Sequence, residues 1–514
     1  MSGRPAAVVL ALLLATLGAP ALAGSVTLTT PQGPLVGERA GAVQVYRGIP
    51  YVRPPVGELR WRAPQPQPRW SLPRDAQQFG PACPQPARQD RATGIGSTSE
   101  DCLTLNVWAP DGAHRTPVMV WIHGGAYRLG AGSLGIYDGA AFAGSGVVLV
   151  TFNYRLGRLG FFAHPALPEA GNLGLQDQVA ALRWVQDNIA SFGGDPDNVT
   201  VFGESAGGSS VLYLLTSPRT QGLFHKAIIE SGGGLQISRH LTAQRGRQRS
   251  LMAEGLAWQG ADVSVAALRA LSVDEVLGTD LIGGGIGAVA PVIDGDWVTA
   301  DPGVQLLRGA FRKVPVLVGS NSNEASVLAA FGTTPEAAVA ASGVAADALA
   351  RLYPDPDSRA RQAWGDAAFV AGARLTARAV AAAGQPAYLY HFDYVLARRQ
   401  GKVPGAGHGS EIPFVFANLG RLPMARLLVQ DSDEAVARRL HQFWVRFAAT
   451  GQPDGPSTDV AARWPGYDPV ADPVLLIDGR FRTVTGLRRD ALDFHEQRWR
   501  RAEQALGEAL SPAP

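Results

Sequence analysis

Asn198-Val199-Thr200-Val201-Phe202-Gly203-Glu204-Ser205-Ala206-Gly207-Gly208-Ser209 carries a strand-like run into a G-x-S-x-G box. Directly behind it, Ser209-Ser210-Val211-Leu212-Tyr213-Leu214-Leu215 can form a helix. Strand, sharp turn and helix in that order is the setting that makes the box a nucleophile elbow. A serine on such a turn has strained dihedrals, and side chains at the two flanking positions would collide. Gly203 and Gly207 remove that collision. Ser205 Oγ is then held clear of the backbone, open to a base on one side and a substrate on the other. The following helix turns its free N–H groups toward the reacting oxygen.

A serine hydroxyl is a weak nucleophile at neutral pH, so it needs a base, and the base needs an orienting acid. In a strand–elbow–helix fold of this kind the acid and then the histidine follow the serine in the chain. Of nine histidines, His225, His240, His391, His408, His441 and His495 come after Ser205. His225 lies at the start of the next strand, His391 inside a strand, and His441 and His495 in helical patterns. His408 alone sits in a glycine-rich loop, Gly405-Ala406-Gly407-His408-Gly409-Ser410, which can present a side chain over a sheet edge. Glu324, in Gly319-Ser320-Asn321-Ser322-Asn323-Glu324, follows the strand-like Val314 to Val318. A carboxylate at a strand's carboxyl end can fix an imidazole tautomer, although a surface-loop glutamate reads the same way. For the oxyanion, Trp121-Ile122-His123-Gly124-Gly125-Ala126-Tyr127 runs a buried strand into His-Gly-Gly, a loop type that aims backbone N–H groups at the nucleophile. Ala206 adds another N–H.

Strands buried on both faces are expected at Val118–Ile122, Val147–Phe152, Ala227–Ile229, Val314–Val318 and Ala387–Phe392, with a helix at Leu175–Ser191 between two of them. Alternation of this kind predicts an α/β fold: a mostly parallel central sheet flanked by helices, with its site at the strands' carboxyl ends. Residues 25–110 read as an antiparallel meander that starts the sheet. Residues 240–300 and 325–380 read as helical insertions capping the active site, and Asp493–Leu510 as an exposed amphipathic helix.

The 514 residues, 46% hydrophobic and 18% charged, describe a globular chain. A net charge of +2 without a basic block excludes a nucleic-acid binder. Residues 1–23 read as a signal peptide: Arg4, an apolar Ala6–Leu17, and Ala21-Leu22-Ala23 as cleavage site before Gly24. The mature chain, 24–514, is then a single domain, secreted or periplasmic. No cysteine follows the cleavage site to take a lipid, and no later stretch could span a bilayer, so no membrane anchor is expected. Cys83 and Cys102 are the only cysteines. In an exported chain they predict one disulfide worth roughly 3 kcal/mol. No HExxH, CxxC or phosphate-cradling loop occurs, so no metal or cofactor is expected.

Taken together the chain resembles the type B carboxylesterases, the α/β-hydrolase branch that includes the cholinesterases. The resemblance runs through Tyr46-Arg47-Gly48-Ile49-Pro50-Tyr51, Ser99-Glu100-Asp101-Cys102-Leu103-Thr104-Leu105-Asn106-Val107, Asn153-Tyr154-Arg155-Leu156-Gly157 and Asn172-Leu173-Gly174-Leu175-Gln176-Asp177-Gln178. It continues through Phe192-Gly193-Gly194-Asp195-Pro196 to His408-Gly409-Ser410-Glu411-Ile412-Pro413-Phe414. It implies Ser205 as nucleophile, Glu324 as acid and His408 as base. It also implies an oxyanion hole from Gly125, Ala126 and Ala206, a Cys83–Cys102 disulfide, and Glu204, Ser231 and Glu411 near the histidine. The expected substrate is a small-molecule ester, cleaved through an acyl-enzyme. A lipase or amidase on the same site, or a non-catalytic adhesion module of the same fold, are the alternatives. Two departures stand out. Ala126 replaces a frequent third glycine, which narrows the space beside the reacting carbon. The Cys83–Cys102 loop holds no Trp, Tyr or Phe to face a choline headgroup.

Overall fold

The computed structural model describes residues 24–86, 95–162, 167, 171–233, 264–278, 289–421, 427–455 and 463–510. The leader expected at 1–23, His240 and much of the 240–300 insertion lie outside the described residues.

Among the described residues thirteen strands form one sheet. They are β1 (Gly24–Thr29), β2 (Pro34–Ala40), β3 (Val43–Pro50), β4 (Arg74–Asp75), β5 (Thr104–Pro110), β6 (Thr116–Ile122) and β7 (Val148–Phe152). The remainder are β8 (Gly194–Glu204), β9 (Lys226–Glu230), β10 (Val316–Asn321), β11 (Ala387–Phe392), β12 (Pro473–Ile477) and β13 (Arg482–Thr485). The order is β1-β2-β3-β5-β7-β6-β8-β9-β10-β11-β12-β13, with β4 beside β2. From β7 through β12 every pair is parallel. The first strands form the antiparallel meander expected of residues 25–110.

Strand β6 shows why its unbroken apolar run belongs in the middle. Alternate residues of a strand point to opposite faces. Val118, Val120 and Ile122 enter one core, Met119 and Trp121 the other. Helix α1 (Leu173–Asn188) covers the first face with Leu175, Val179, Leu182 and Val185, one stripe at helical spacing. Further along the chain come α2 (Ala206–Thr216) and α3 (Ala371–Ala382), and α3 packs on β10 and β11. Helix α4 (Asp431–Thr450) covers the second face with Val436, Leu440, Phe443, Trp444 and Phe447.

The described parts of the insertions contain short helices. Val265–Ala270 and Val273–Leu277 pack over Trp61 and Phe162, and a run of short helices fills 324–370. Two expectations need correction. The strand placed at Val314–Val318 runs instead from Val316 to Asn321, in register with all six residues of β11. Polar Ser320 and Asn321 are drawn into it by ladder bonds. The terminal helix α5 (Arg489–Leu510) is not simply exposed. Leu492 and Trp499 join the core beside α3, and Arg374 of α3 bonds Asp493 and Glu496. Its many charges disguised a packed face. Among the described residues no helix is long and apolar enough to cross a membrane.

Candidate active site

Strand β8 ends at Glu204 and α2 begins at Ala206, so Ser205 is the whole turn. Its φ of 56° and ψ of −121° are strained for a residue with a side chain. The strain persists because neighbours fix the turn. Ser205 N–H donates to Glu230 C=O at 2.9 Å, joining the elbow to β9. A Cβ on Gly203 would lie 2.7 Å from the Gly207 backbone, and one on Gly207 2.0 Å from the Ile122 carbonyl oxygen. The flanking glycines thus let the turn close and let it press against β6.

The His408 loop is tied to the segment after β10. Asn323 N–H donates to Ala406 C=O (2.8 Å), Ala406 N–H to Ser322 Oγ (2.9 Å) and His408 N–H to Ser326 Oγ (2.9 Å). So clamped, His408 places Nε2 2.8 Å from Ser205 Oγ and Nδ1 2.5 Å from Glu324 Oε2. Glu324 is buried, and its Oε1 accepts from Ser231 Oγ and from Asn321 N–H, both at 2.6 Å. With one oxygen so occupied, the other is directed at the imidazole. Glu204 brings Oε1 to 3.3 Å from His408 Nε2. Glu411 accepts from the Asn321 amide, whose backbone in turn bonds Glu324. Ser231 and Glu411 therefore lie on the Glu324 side of the site, while Glu204 faces the histidine itself.

Burial by itself lowers the His408 imidazole, but the Glu204 and Glu324 carboxylates, the bond to Glu324 and the Glu411 charge push it up to about 9. Glu204 is pushed up to about 7 by burial, which the His408 charge opposes. Burial and the Glu204 charge push Glu411 up to about 8. These groups titrate together: a proton on Glu204 removes the charge that raises His408.

The loop after β6 passes directly over the elbow. A Cβ on Gly124 would sit 3.2 Å from Ser205 Cβ. Gly125, Ala126 and Tyr127 all have positive φ, at 109°, 55° and 60°. His123 holds the loop: its Nδ1–H donates to Gly124 C=O (2.8 Å), and its ring stacks on Tyr154 at 4.5 Å. Burial pushes His123 down to about 4, so it is neutral. Among the described residues, the N–H groups of Gly125, Ala126 and Ala206 donate to no protein acceptor. Cys83 and Cys102 form the expected disulfide. Two other histidines bond the backbone: His225 Nδ1 accepts from Val199 N–H, and His441 Nδ1 donates to Val415 C=O. Among the described residues no group of three His, Cys, Asp or Glu side chains is arranged to hold a metal ion.

This site comes with a family. Residues 24–355 and 347–495 match the carboxylesterase family. The chain belongs to that family. It is 38% identical over 466 residues to the fumonisin B1 esterase of Sphingopyxis macrogoltabida, covering 83% of this chain and 82% of that one. It is 36% identical over 492 residues to the para-nitrobenzyl esterase of Bacillus subtilis (strain 168), covering 88% and 94%. Among solved structures, a PNB esterase superposes with a TM-score of 0.79 at 35% identity, covering 91% of this chain and 99% of that one. A carboxylesterase of Geobacillus stearothermophilus gives 0.78 at 34%, covering 92% and 99%. The protein is accordingly a carboxylic ester hydrolase of the serine type with an α/β-hydrolase fold.

Several residues of the site carry no signal of their own in the sequence. Asn321, which joins Glu324 to Glu411, lies inside a loop-like stretch that turned out to be strand. Ser326 and Phe369, whose ring centroid is 4.9 Å from that of His408, reach the histidine only through tertiary structure.

Proposed function

We propose that Ser205, His408 and Glu324 are the nucleophile, base and acid of this esterase. Ser205 Oγ attacks the ester carbonyl carbon as His408 Nε2 takes its proton. Glu324, held by Ser231 and Asn321, keeps Nδ1 protonated and stabilises the imidazolium. The carbonyl oxygen, now negative, is received by the N–H groups of Gly125, Ala126 and Ala206, each donor worth about 100- to 1,000-fold in rate. His408 then gives its proton to the leaving alkoxide, and the alcohol departs. Water adds to the acyl-enzyme by the same steps and frees the acid and Ser205. The observation that carries this reading is the unbroken chain from Ser205 Oγ through His408 to Glu324, at 2.8 and 2.5 Å.

The substrate proposed is a small uncharged carboxylic ester of a primary or secondary alcohol. The Ala126 methyl group lies on the oxyanion loop, which disfavours esters of tertiary alcohols. Residues 24–514 are proposed to act as one domain exported by the leader at 1–23. The Cys83–Cys102 bond supports this, since disulfides persist in oxidising compartments.

The test is hydrolysis of 4-nitrophenyl acetate and butyrate by the mature protein beside Ser205→Ala. Loss of about 10⁴-fold or more in kcat is expected. Equal rates in both proteins would overturn the assignment. A longer acyl series and a 4-nitroanilide, run in parallel, separate esterase from lipase and amidase.

A further inference from the structure

Beneath the elbow lies a row that joins the site to buried side chains the reaction as derived does not use. Glu204 of β8 is in register with Glu230 of β9, Glu230 with Gly319 of β10, and Gly319 with Tyr390 of β11. Paired residues share a face, so the row crosses four central strands on one side of the sheet. Gly319 has no side chain, and the Tyr390 ring occupies that space: a Cβ there would lie 2.3 Å from it. Asn321, two residues along the same face, carries Glu411. Trp444 of α4 closes the row from above, its ring 5.4 Å from Tyr390, and its Nε1–H donates to Glu230 Oε1 at 2.7 Å.

Glu230 is 0% exposed. Its Oε2, Glu411 Oε1 and Tyr390 Oη are all buried with no protein partner among the described residues. A carboxylate with one neutral donor and no cation is costly to bury, whereas a carboxylic acid needs only an acceptor for its proton. The groups facing Glu230 are Glu204, Glu411, Tyr390 and Tyr137, with Glu324 and His408 beyond, and no Lys or Arg is among the charges acting on it.

We propose that Glu230 is a positioning residue: an uncharged acid that donates through an ordered water to Glu411 and so favours the ionised form of the Glu411 carboxylate behind His408. The proposal rests on the esterase reading for its kinetic consequence only. Burial and the neighbouring Glu411 charge raise Glu230 well above the ordinary carboxylate range, in keeping with the uncharged form.

The sign of the stability effect is definite. A carboxyl group whose pKa is raised in the folded state favours folding fully at low pH, and that contribution is lost as pH rises from the unfolded value toward the folded one. Glu230→Gln removes this titration while its amide can still accept from Trp444 and donate to the water. Its Tm advantage over the wild type is expected to widen by about 2 °C or more between pH 5 and pH 9. In the kinetic arm, Glu230→Met, which cannot donate, lets Glu411 take up a proton. The negative charge near His408 falls, and the acid limb of kcat/KM moves to lower pH by several tenths of a unit. Glu230→Gln keeps the wild-type limb. A Tm difference that stays constant with pH overturns the uncharged acid. Coincident limbs in Glu230→Met and wild type overturn its link to the triad. The melting arm needs no turnover and remains decisive if Glu230→Met fails to fold or the esterase reading fails.

Discussion

Replacing Glu204 by Gln tests how the site tunes its base. Glu204 Oε1 lies 3.3 Å from His408 Nε2. Unit charges at that separation attract by about 5 kcal/mol at an effective dielectric of 20. Burial of the imidazole cancels part of that attraction. The net result is the rise of His408 from 6.5 to about 9, equivalent to about 3 kcal/mol remaining after three carboxylates have offset burial. Glu204 makes the largest charge contribution of the three, so its loss is expected to lower the imidazole by about one pH unit or more. A base works only when deprotonated, so kcat/KM rises as pH passes through the pKa of His408. Glu204 is itself pushed up to about 7, so it is half ionised at about pH 7 and the comparison is read above that pH, where its charge is largely present. The wild type is expected to gain activity between pH 7 and 9, and Glu204→Gln to reach its plateau about one unit earlier. The plateau should be lower, by about tenfold, because the imidazolium of the transition state loses a stabilising charge. The assay is the pH profile of kcat/KM for 4-nitrophenyl butyrate. Superimposable limbs, or a shift to higher pH, would refute the electrostatic reasoning.

Three further outcomes follow from the geometry. Gly207→Ala puts a methyl carbon 2.0 Å from the Ile122 carbonyl oxygen; a shift of about 1 Å between elbow and oxyanion loop should cost about 100-fold in kcat. A folded variant within tenfold of wild type would show that the contact is not needed. Ala126→Gly removes a side chain from a residue at φ 55° and should raise turnover of tert-butyl esters relative to n-butyl esters; an unchanged ratio contradicts the steric reading. Cys83→Ser with Cys102→Ser opens a loop with a sequence separation of 19, and a loss of about 3 kcal/mol in unfolding free energy is expected from denaturant titration.

What could be read in advance was whatever depends on neighbours in the chain. The elbow was legible because Gly203, Ser205 and Gly207 form one turn, and β6 because its apolar run is continuous. His408 stood out only by its glycine-flanked loop, and Glu324 by its place behind a strand; neither fact alone joined them to Ser205. Their assignment came from the resemblance, and the hydrogen bonds that the His408 loop donates to Ser322 and Ser326 supply the physical reason. The row under the elbow was hidden. Glu230 and Trp444 are 214 residues apart, and nothing local marks either as a partner. The same holds for α5, whose acidic and basic residues read as a solvated face although Arg374 draws two of them inward.

The central claim, that Ser205 attacks the ester and becomes acylated with His408 as its base, is tested most directly by covalent trapping. The mature protein is mixed with a fluorophosphonate, and the modified residue is located by intact mass and peptide mapping. The account predicts one adduct per chain, on Ser205, formed at least 100-fold more slowly in His408→Ala and absent in Ser205→Ala. An adduct on another residue, or equal labelling of Ser205→Ala, would contradict it.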